Sequence, residues 1–198
     1  MRKAILVAVL VLGLAGLGVS CNWWTFGGPT AISVSVYFTY PGTTKPEDDN
    51  PEREAIIPLI NGLNSGDTLD IAMYSLTDDD IKAAILDAHD RGVEVRIYLE
   101  GENACGRGAD AADYLAAGIP VRVDNRSGLM HHKFAVLDYA DAEKTDTSIT
   151  GSYNWSASAD ERNWENVVVI HSATIAADYE ANFEDMWENW SEDFQGCG

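Results

Sequence analysis

The sequence is poor in the residue types that form metal sites and attract polyanions. Its 198 residues include 3 cysteines and 4 histidines, and 13 lysines and arginines stand against 32 aspartates and glutamates. No set of His, Cys and acidic residues has the spacing of a metal site, so we expect neither a metal nor another cofactor. The net charge of -19 disfavours nonspecific binding to nucleic acid or anionic lipid, although it does not describe the local potential of a cleft.

The sequence also lacks internal repeats, and its most extended apolar run is short. That run, from Ala4 to Val19, follows Arg2 and Lys3. It is too short for an ordinary membrane span and has the layout of a secretory signal. Residues 1–20 are therefore predicted to be a signal peptide, and we expect a secreted or cell-envelope protein.

The first cysteine lies where this predicted signal ends. The stretch LGVSC, ending at Cys21, resembles the lipobox of bacterial lipoproteins, with Gly18 where that motif prefers leucine. The resemblance implies a lipid on Cys21 that tethers the protein to a membrane, and residues 21–30 are interpreted as a tether. The alternative is an ordinary signal or an uncleaved anchor, in which Cys21 has no role.

The remaining residues, 31–198, suit one folded domain with a sizeable core, and a second large domain does not fit. Export would place Cys105 and Cys197 in a compartment where a disulfide can persist. Assigning Cys21 to a lipid leaves these two cysteines for pairing, and two unpaired thiols are the alternative.

Hydrophobic periodicity indicates an α/β fold. Strand-like and helix-like segments alternate through the first half, which favours parallel pairing with crossover helices on both faces. We therefore predict a mixed, largely parallel β-sheet flanked by helices on both faces. The predicted strands are 32–40, 68–75, 93–99, 119–123, 131–138, 147–151 and 165–170, and the predicted helices are 52–64, 78–91, 108–117 and 173–190, with a turn or short helix at 156–162.

Chemically useful side chains cluster in the second half of the sequence. In an extended segment His131 and Lys133 share a face, and Ser152 and Asn154 follow Gly151, a residue that permits unusual backbone or close approach. An imidazole, an ammonium, a hydroxyl and an amide suit a phosphodiester, because the imidazole can attack phosphorus while the others hold nonbridging oxygens. A carboxylate such as Glu165 would orient an imidazole.

These residues resemble the signature of the phospholipase D superfamily, H-x-K-x4-D followed by G-S-x-N and a later glutamate. The matching positions are His131, Lys133, Asp138, Gly151, Ser152, Asn154, Glu165 and Asn166. The segments MHHKFAVLD and GSYNWSASA are similar to the single-motif branch, which contains bacterial endonucleases and mitochondrial cardiolipin hydrolase. The resemblance implies the phospholipase D/nuclease fold over most of residues 31–190.

The resemblance also implies a role for each matched residue. His131 would be the nucleophile that forms a phosphohistidine, and Glu165 would orient an imidazole. Asp138 belongs to the catalytic motif but is assigned to orientation or structure, because it falls on the opposite face from His131. Phosphate binding is assigned to Lys133, Ser152 and Asn154.

A single motif leaves one catalytic group missing, because the leaving oxygen needs a general acid. The resemblance therefore implies a homodimer with a composite active site, in which His131 of each subunit faces the other. The function it implies is a metal-independent phosphodiesterase, with an endonuclease favoured. The alternatives are a phospholipase D that releases phosphatidate from membrane phospholipids, and a noncatalytic phosphate-binding envelope protein.

Several residues near the motif have two interpretations. Arginines in this part of the sequence would form a basic rim for a polyanion, or are unrelated solvated positions; they are Arg107, Arg122, Arg126 and Arg162. Tryptophans there are expected in the core or at a dimer contact; they are Trp155, Trp164, Trp187 and Trp190. His132 is expected to be packed or hydrogen-bonded rather than catalytic. Between Asp138 and Gly151 lie twelve residues, where the family usually has six, and this acidic insertion is expected to lengthen a hairpin loop.

Overall fold

The computed structural model describes residues 32–41, 50–141 and 143–197. The predicted signal peptide, the tether and Cys21 lie outside the described residues. The strands are β1 (Ser33–Phe38), β2 (Thr68–Met73), β3 (Glu94–Leu99), β4 (Val121–Asp124), β5 (Lys133–Asp138), β6 (Thr147–Gly151), β7 (Asn166–His171) and β8 (Ser191–Asp193). The α-helices are α1 (Ile57–Asn61), α2 (Asp79–Asp90), α3 (Ala111–Ala116), α4 (Ala157–Arg162) and α5 (Ala173–Asn189).

All eight strands belong to one mixed sheet, in the order β1-β7-β6-β5-β2-β3-β4-β8, which confirms the predicted α/β class. Parallel pairing is confined to β2 with β3 and β3 with β4. Every other neighbouring pair is antiparallel, so the sheet is less parallel than the alternation in the first half indicates. The reason is that β5, β6 and β7 follow one another as antiparallel neighbours, with no crossover helix between β5 and β6.

Helices cover both faces of the sheet, as predicted. Alternation along β2 directs Leu69 and Ile71 into the core under α1, α2 and α3. Ala72 points the other way, into a second cluster that contains Phe183 and Met186 of α5. Because strand side chains alternate between faces, one short strand contributes to both clusters.

Local capping fixes where the helices begin. Asp78 accepts hydrogen bonds from the backbone N–H groups of Asp80 and Ile81, at 3.0 and 3.1 Å, and thereby caps α2. Acidic residues at this position also offset the helix dipole. Ser172 caps α5 by accepting from the N–H of Ile175. None of the helices in the described part of the chain is long and apolar enough to cross a membrane.

The C-terminal segment is attached to the domain at two places. Strand β8, which the sequence pattern does not predict, pairs with β4 at the edge of the sheet. Cys105 and Cys197, the two cysteines expected to pair, are joined by a disulfide with an S–S distance of 2.08 Å. The chain end is therefore held against the loop that follows β3.

Candidate active site

The site is centred on the start of β5, where His131 and Lys133 meet. The Lys133 Nζ lies 3.3 Å from Nδ1 and 3.4 Å from Nε2 of His131 and donates to the His131 carbonyl at 3.0 Å. The Tyr74 ring lies 4.5 Å from the imidazole and 4.8 Å from Nζ, measured from the ring centroid. The predicted shared face of His131 and Lys133 is thus present, with Tyr74 packed against both.

Sequence reasoning missed Tyr74. Its backbone N–H donates to the His132 carbonyl at 2.8 Å, just beyond the pairing of β2 with β5. The available signal was its place at the end of a predicted strand, but only the antiparallel pairing of β2 with β5 brings it to His131.

Gly151 makes the second part of the site possible. Its φ is +134°, and a Cβ at this position would lie 2.2 Å from the Asn166 carbonyl oxygen. Glycine is therefore required both for the backbone angle and for the close approach of β7. The next residue, Ser152, donates a hydrogen bond to Glu165 Oε2 and accepts from the backbone N–H and Nδ2 of Asn166 at 3.2 and 3.3 Å.

Glu165 is held in place from three directions. Its carboxylate accepts from Ser152 and, at 3.2 Å, from Asn163 Nδ2. Its backbone N–H donates at 2.7 Å to the hydroxyl of Thr39, a fully buried residue. Burial lowers the pKa of Lys133, and the charge of Glu165 opposes that shift. The two groups are therefore near enough to interact, which links the β5 and β7 parts of the site.

The remaining two predicted residues differ in their placement. Asn154 lies two residues after Ser152, and its Oδ1 is buried without a hydrogen-bond partner among the described residues, so this amide oxygen is an exception to the rule that buried polar atoms are paired. Asp138 lies five residues beyond Lys133 on β5, about 16 Å along an extended strand. There burial and the Asp146 charge raise its pKa. Asp138 thus lies at the far end of β5 from His131, and its assignment to orientation or structure stays a prediction.

The tryptophans divide between the core and the surface. Trp155 is buried in the main core, and Trp187 stacks on Phe183 at 5.4 Å. Trp164 is 72% exposed beside Glu165, and Trp190 is 43% exposed. The first pair thus lies in the hydrophobic clusters, and for the exposed pair a dimer contact stays a prediction.

The four arginines have different surroundings. Arg122 donates to the Trp187 carbonyl at 2.6 Å and pairs with Asp193. Arg126 lies over the Trp190 ring, 4.5 Å from its centroid, in a cleft that reaches His131. Arg107 and Arg162 are exposed. In the described segments, no group of three or more His, Cys, Asp and Glu side chains is placed to hold a metal ion.

Comparison with known proteins gives the family of this chain. Residues 58–187 match the family described as "Cardiolipin synthase, PLD-like domain". A mitochondrial cardiolipin hydrolase from Chlamydomonas reinhardtii is 36% identical over 121 residues, which cover 61% of this chain and 52% of that protein. A phospholipase D from Rickettsia bellii is 37% identical over 110 residues, 56% of this chain and 52% of that protein. The chain thus matches about half the length of these curated relatives.

Solved structures give the same fold. Nuc, a phospholipase D family member from Salmonella typhimurium, aligns with a TM-score of 0.67 and 28% identity over 83% of this chain and 99% of Nuc. NucT from Helicobacter pylori aligns with the same TM-score at 23% identity, over 82% of this chain and 99% of NucT, and shows likeness of fold alone. Because the family match covers well over half of the chain, this protein belongs to the phospholipase D superfamily.

Proposed function

We propose that this protein is a hydrolase that cleaves phosphodiester bonds without a metal ion, by attack of His131 on phosphorus. The observation that supports it most directly is the contact between the His131 imidazole and the Lys133 ammonium at an exposed position, where the charge of Glu165 acts on Lys133. A nucleophile beside a fixed cation is the arrangement that a phosphoryl transfer needs, since charge develops on the nonbridging oxygens.

The reaction proceeds in two displacements. A neutral His131 nitrogen donates its electron pair to phosphorus, and the P–O bond to the leaving alcohol breaks as a second imidazole donates a proton to that oxygen. A phosphohistidine remains. Water then attacks phosphorus, the same second imidazole accepts its proton, and the P–N bond breaks to restore His131. Lys133, Ser152 and Asn154 hold the nonbridging oxygens, and the negative charge of Glu165 orients an imidazolium.

The second imidazole is not available within one chain. His132 packs edge-on against Phe134, at 5.3 Å between ring centroids, and is not in hydrogen-bonding contact with Lys133 as His131 is. The Nδ1 of His171 forms a hydrogen bond with Thr147 Oγ1 at 2.7 Å, and His89 lies on α2. The proposal therefore includes a homodimer with a composite site, in which His131 of a second subunit is the general acid.

An exposed apolar face supports the dimer. Alternate side chains of β1 and its flanks, Ile32, Val34, Val36 and Phe38, are between 45% and 57% exposed, and β1 is an edge strand of the sheet. In a chain with 32 acidic residues, strands β1, β6 and β7 contain no Asp, Glu, Lys or Arg. The face continues to Tyr40 and Trp164, whose rings are 5.9 Å apart, and Trp164 adjoins Glu165. A second chain on this face would therefore lie next to the site.

Nucleic acid is the substrate that we favour. The structural likeness to Nuc extends over 99% of that chain, whereas the curated relatives named for cardiolipin or phospholipid cleavage are matched over about half of their length. Those names support the second candidate, a phospholipase D at a membrane surface. Export of the protein and its attachment through a lipid on Cys21 are part of that proposal, since a tether would hold the enzyme beside lipid.

The test is turnover by the purified protein on single-stranded DNA, RNA and phosphatidylcholine vesicles, each with excess chelator. Cleavage of nucleic acid alone supports the endonuclease, and release of the lipid headgroup alone supports the phospholipase. His131→Ala should abolish either activity, and His89→Gln, which changes a histidine on α2, should leave it unchanged. No turnover on any substrate would overturn the enzyme proposal in favour of a noncatalytic phosphate-binding protein of the envelope.

A further inference from the structure

A cleft of about 450 Å³ opens beside the proposed nucleophile, within the size range of small-molecule sites. His131 and His132 line one end. The rest of the lining includes apolar and aromatic side chains, among them Tyr98, Leu129, Met130, Met186 and Trp190. Any group attached to a phosphate at His131 has this cleft as a neighbour.

Trp190 is held as a flat surface in this cleft. Its carbonyl accepts from Tyr98 Oη at 3.0 Å and from the Asn125 N–H at 3.2 Å. Its indole Nε1 donates to Asp185 Oδ2 at 3.1 Å. The guanidinium of Arg126 lies over the ring, 4.5 Å from its centroid. Because the backbone and the indole nitrogen are both fixed and Arg126 covers one face of the ring, Trp190 and Arg126 form a preformed stacked pair at little cost in side-chain entropy.

The charges in the cleft disfavour a second phosphate. Asp124 also lines it and accepts from the Gly101 N–H at 2.6 Å, so a carboxylate accompanies the single cation Arg126. An acyl chain would leave the polar groups of Asp124, Ser127 and His132 facing hydrocarbon. A flat, uncharged ring with polar edges fits this combination of an aromatic plane and a polar rim better than a phosphate or an acyl chain does.

We propose that the cleft is a nucleobase subsite, in which the base of a nucleotide adjoining the scissile phosphate stacks on the Arg126–Trp190 pair. The proposal rests on the nuclease function above and adds a binding determinant to it. Stacking of bases on aromatic and guanidinium planes is a common basis for binding single strands with little sequence preference. The same cleft explains why Trp190 is partly exposed beside an active site.

The test is a double-mutant cycle in which the Trp190 side chain and one substrate base are removed, each alone and both together. Cleavage of an oligothymidylate is compared with cleavage of the same oligomer carrying one abasic nucleotide, with the cut positions mapped. For the unaltered protein, kcat/KM at bonds next to the abasic nucleotide should fall about tenfold to a hundredfold, the range expected for a lost stack. Trp190→Ala should lower kcat/KM on the intact oligomer by a similar factor, chiefly through KM, and should no longer distinguish the two substrates.

Conservative and control variants separate stacking from damage to the fold. Trp190→Phe should retain most of the discrimination, and Arg126→Gln should lose part of it. Leu115→Ala, at an exposed position on α3, should behave as the unaltered protein, and thermal unfolding checks each variant. Equal discrimination by Trp190→Ala and the unaltered protein would overturn the subsite alone. Failure of the unaltered protein to cleave any oligonucleotide would overturn the nuclease function, and the subsite with it.

Discussion

Gly151 joins the two parts of the active site at the level of a single residue. It lets β6 approach the Asn166 carbonyl and places Ser152 within hydrogen-bonding distance of Glu165. The positive φ that accompanies this approach is rarely adopted by residues with a side chain. The glycine of the motif is therefore a requirement of backbone geometry, and not of phosphate chemistry.

Replacing Gly151 with alanine should disturb both the fold and the reaction. The added Cβ would lie 2.2 Å from the Asn166 carbonyl oxygen, so we expect a loss of about 1–3 kcal/mol in the free energy of unfolding and a fall in kcat/KM of at least about tenfold. Urea denaturation and steady-state kinetics measure the two effects. Gly196→Ala is the matched control, because Gly196 also has positive φ but an added methyl group there would meet no atom of the described residues within 4 Å. Equal effects in the two variants would contradict the account.

A second residue-level feature lies under α5, where one cation serves three carboxyl groups. Arg96 donates to the Asp70 carboxylate at 2.6 and 2.8 Å and to Glu180 at 3.1 Å, and it pairs with Glu184 at 2.7 Å. Burial, followed by the charge of Asp70, raises the pKa of Glu180 to about 8. Burial also raises the pKa of Asp70.

The protein should therefore lose stability as pH rises through neutrality. Between the ordinary glutamate pKa of 4.5 and about 8, the folded state binds a proton that the unfolded state lacks, so the free energy of unfolding falls as pH increases. Glu180→Gln should flatten this slope and stabilise the protein at pH 8.5 by about 1–2 kcal/mol, after allowance for solvent screening. Urea denaturation at pH 5.5, 7.0 and 8.5 measures it, and an unchanged slope would contradict the assignment.

At the scale of elements, periodicity was sufficient for most strands and helices. The predicted strand 68–75 and helix 78–91 correspond to β2 and α2 with ends shifted by one or two residues. Strand β8 was missed because its three residues, Ser191–Asp193, have no alternating pattern and form only by pairing with β4. Pairing direction is a tertiary property, so local pattern did not show that β5 lies antiparallel to β2.

The same limit applies to the site. Motif spacing predicted His131, Lys133, Ser152 and Glu165. These residues lie at or next to the ends of β5, β6 and β7 that meet at one end of the sheet. Motif spacing did not predict Tyr74, which depends on strand pairing. Alternation correctly separated Asp138 from His131 in direction, but the length of β5 also separates them in distance.

The apolar face of β1 gives a prediction about assembly. Val36→Asp places a charge in the middle of that face, where Val36 is 49% exposed, so it should raise the dissociation constant of the proposed dimer by about tenfold or more. Sedimentation velocity over a dilution series measures the dissociation constant, and activity should fall on dilution in parallel. Leu115→Asp, on the exposed surface of α3, should change neither. A Val36→Asp protein that stays dimeric would exclude β1 as the contact.

At the scale of the whole molecule, one disulfide closes a loop that contains most of the second half of the chain. The disulfide joins residues 92 positions apart, which restricts the unfolded chain considerably. It also holds the C-terminal segment that follows Trp190.

Replacing both cysteines, Cys105→Ser with Cys197→Ser, should lower the free energy of unfolding by roughly 2–4 kcal/mol. Chemical denaturation of the variant and of the unaltered protein, with and without reductant, measures the difference. Reductant should destabilise only the unaltered protein. If reductant leaves the unaltered protein equally stable, the disulfide does not contribute as described.

The central claim is that His131 forms a covalent bond to phosphorus, and trapping that intermediate tests it most directly. The protein is mixed rapidly with a substrate oligonucleotide in excess chelator, denatured at alkaline pH, where a phosphohistidine survives, and digested for peptide mass spectrometry. The account predicts a phosphodiester adduct on His131 that is absent from His131→Ala and present in His89→Gln. Substrate turnover with no adduct at His131, or with an adduct on another residue, would contradict it.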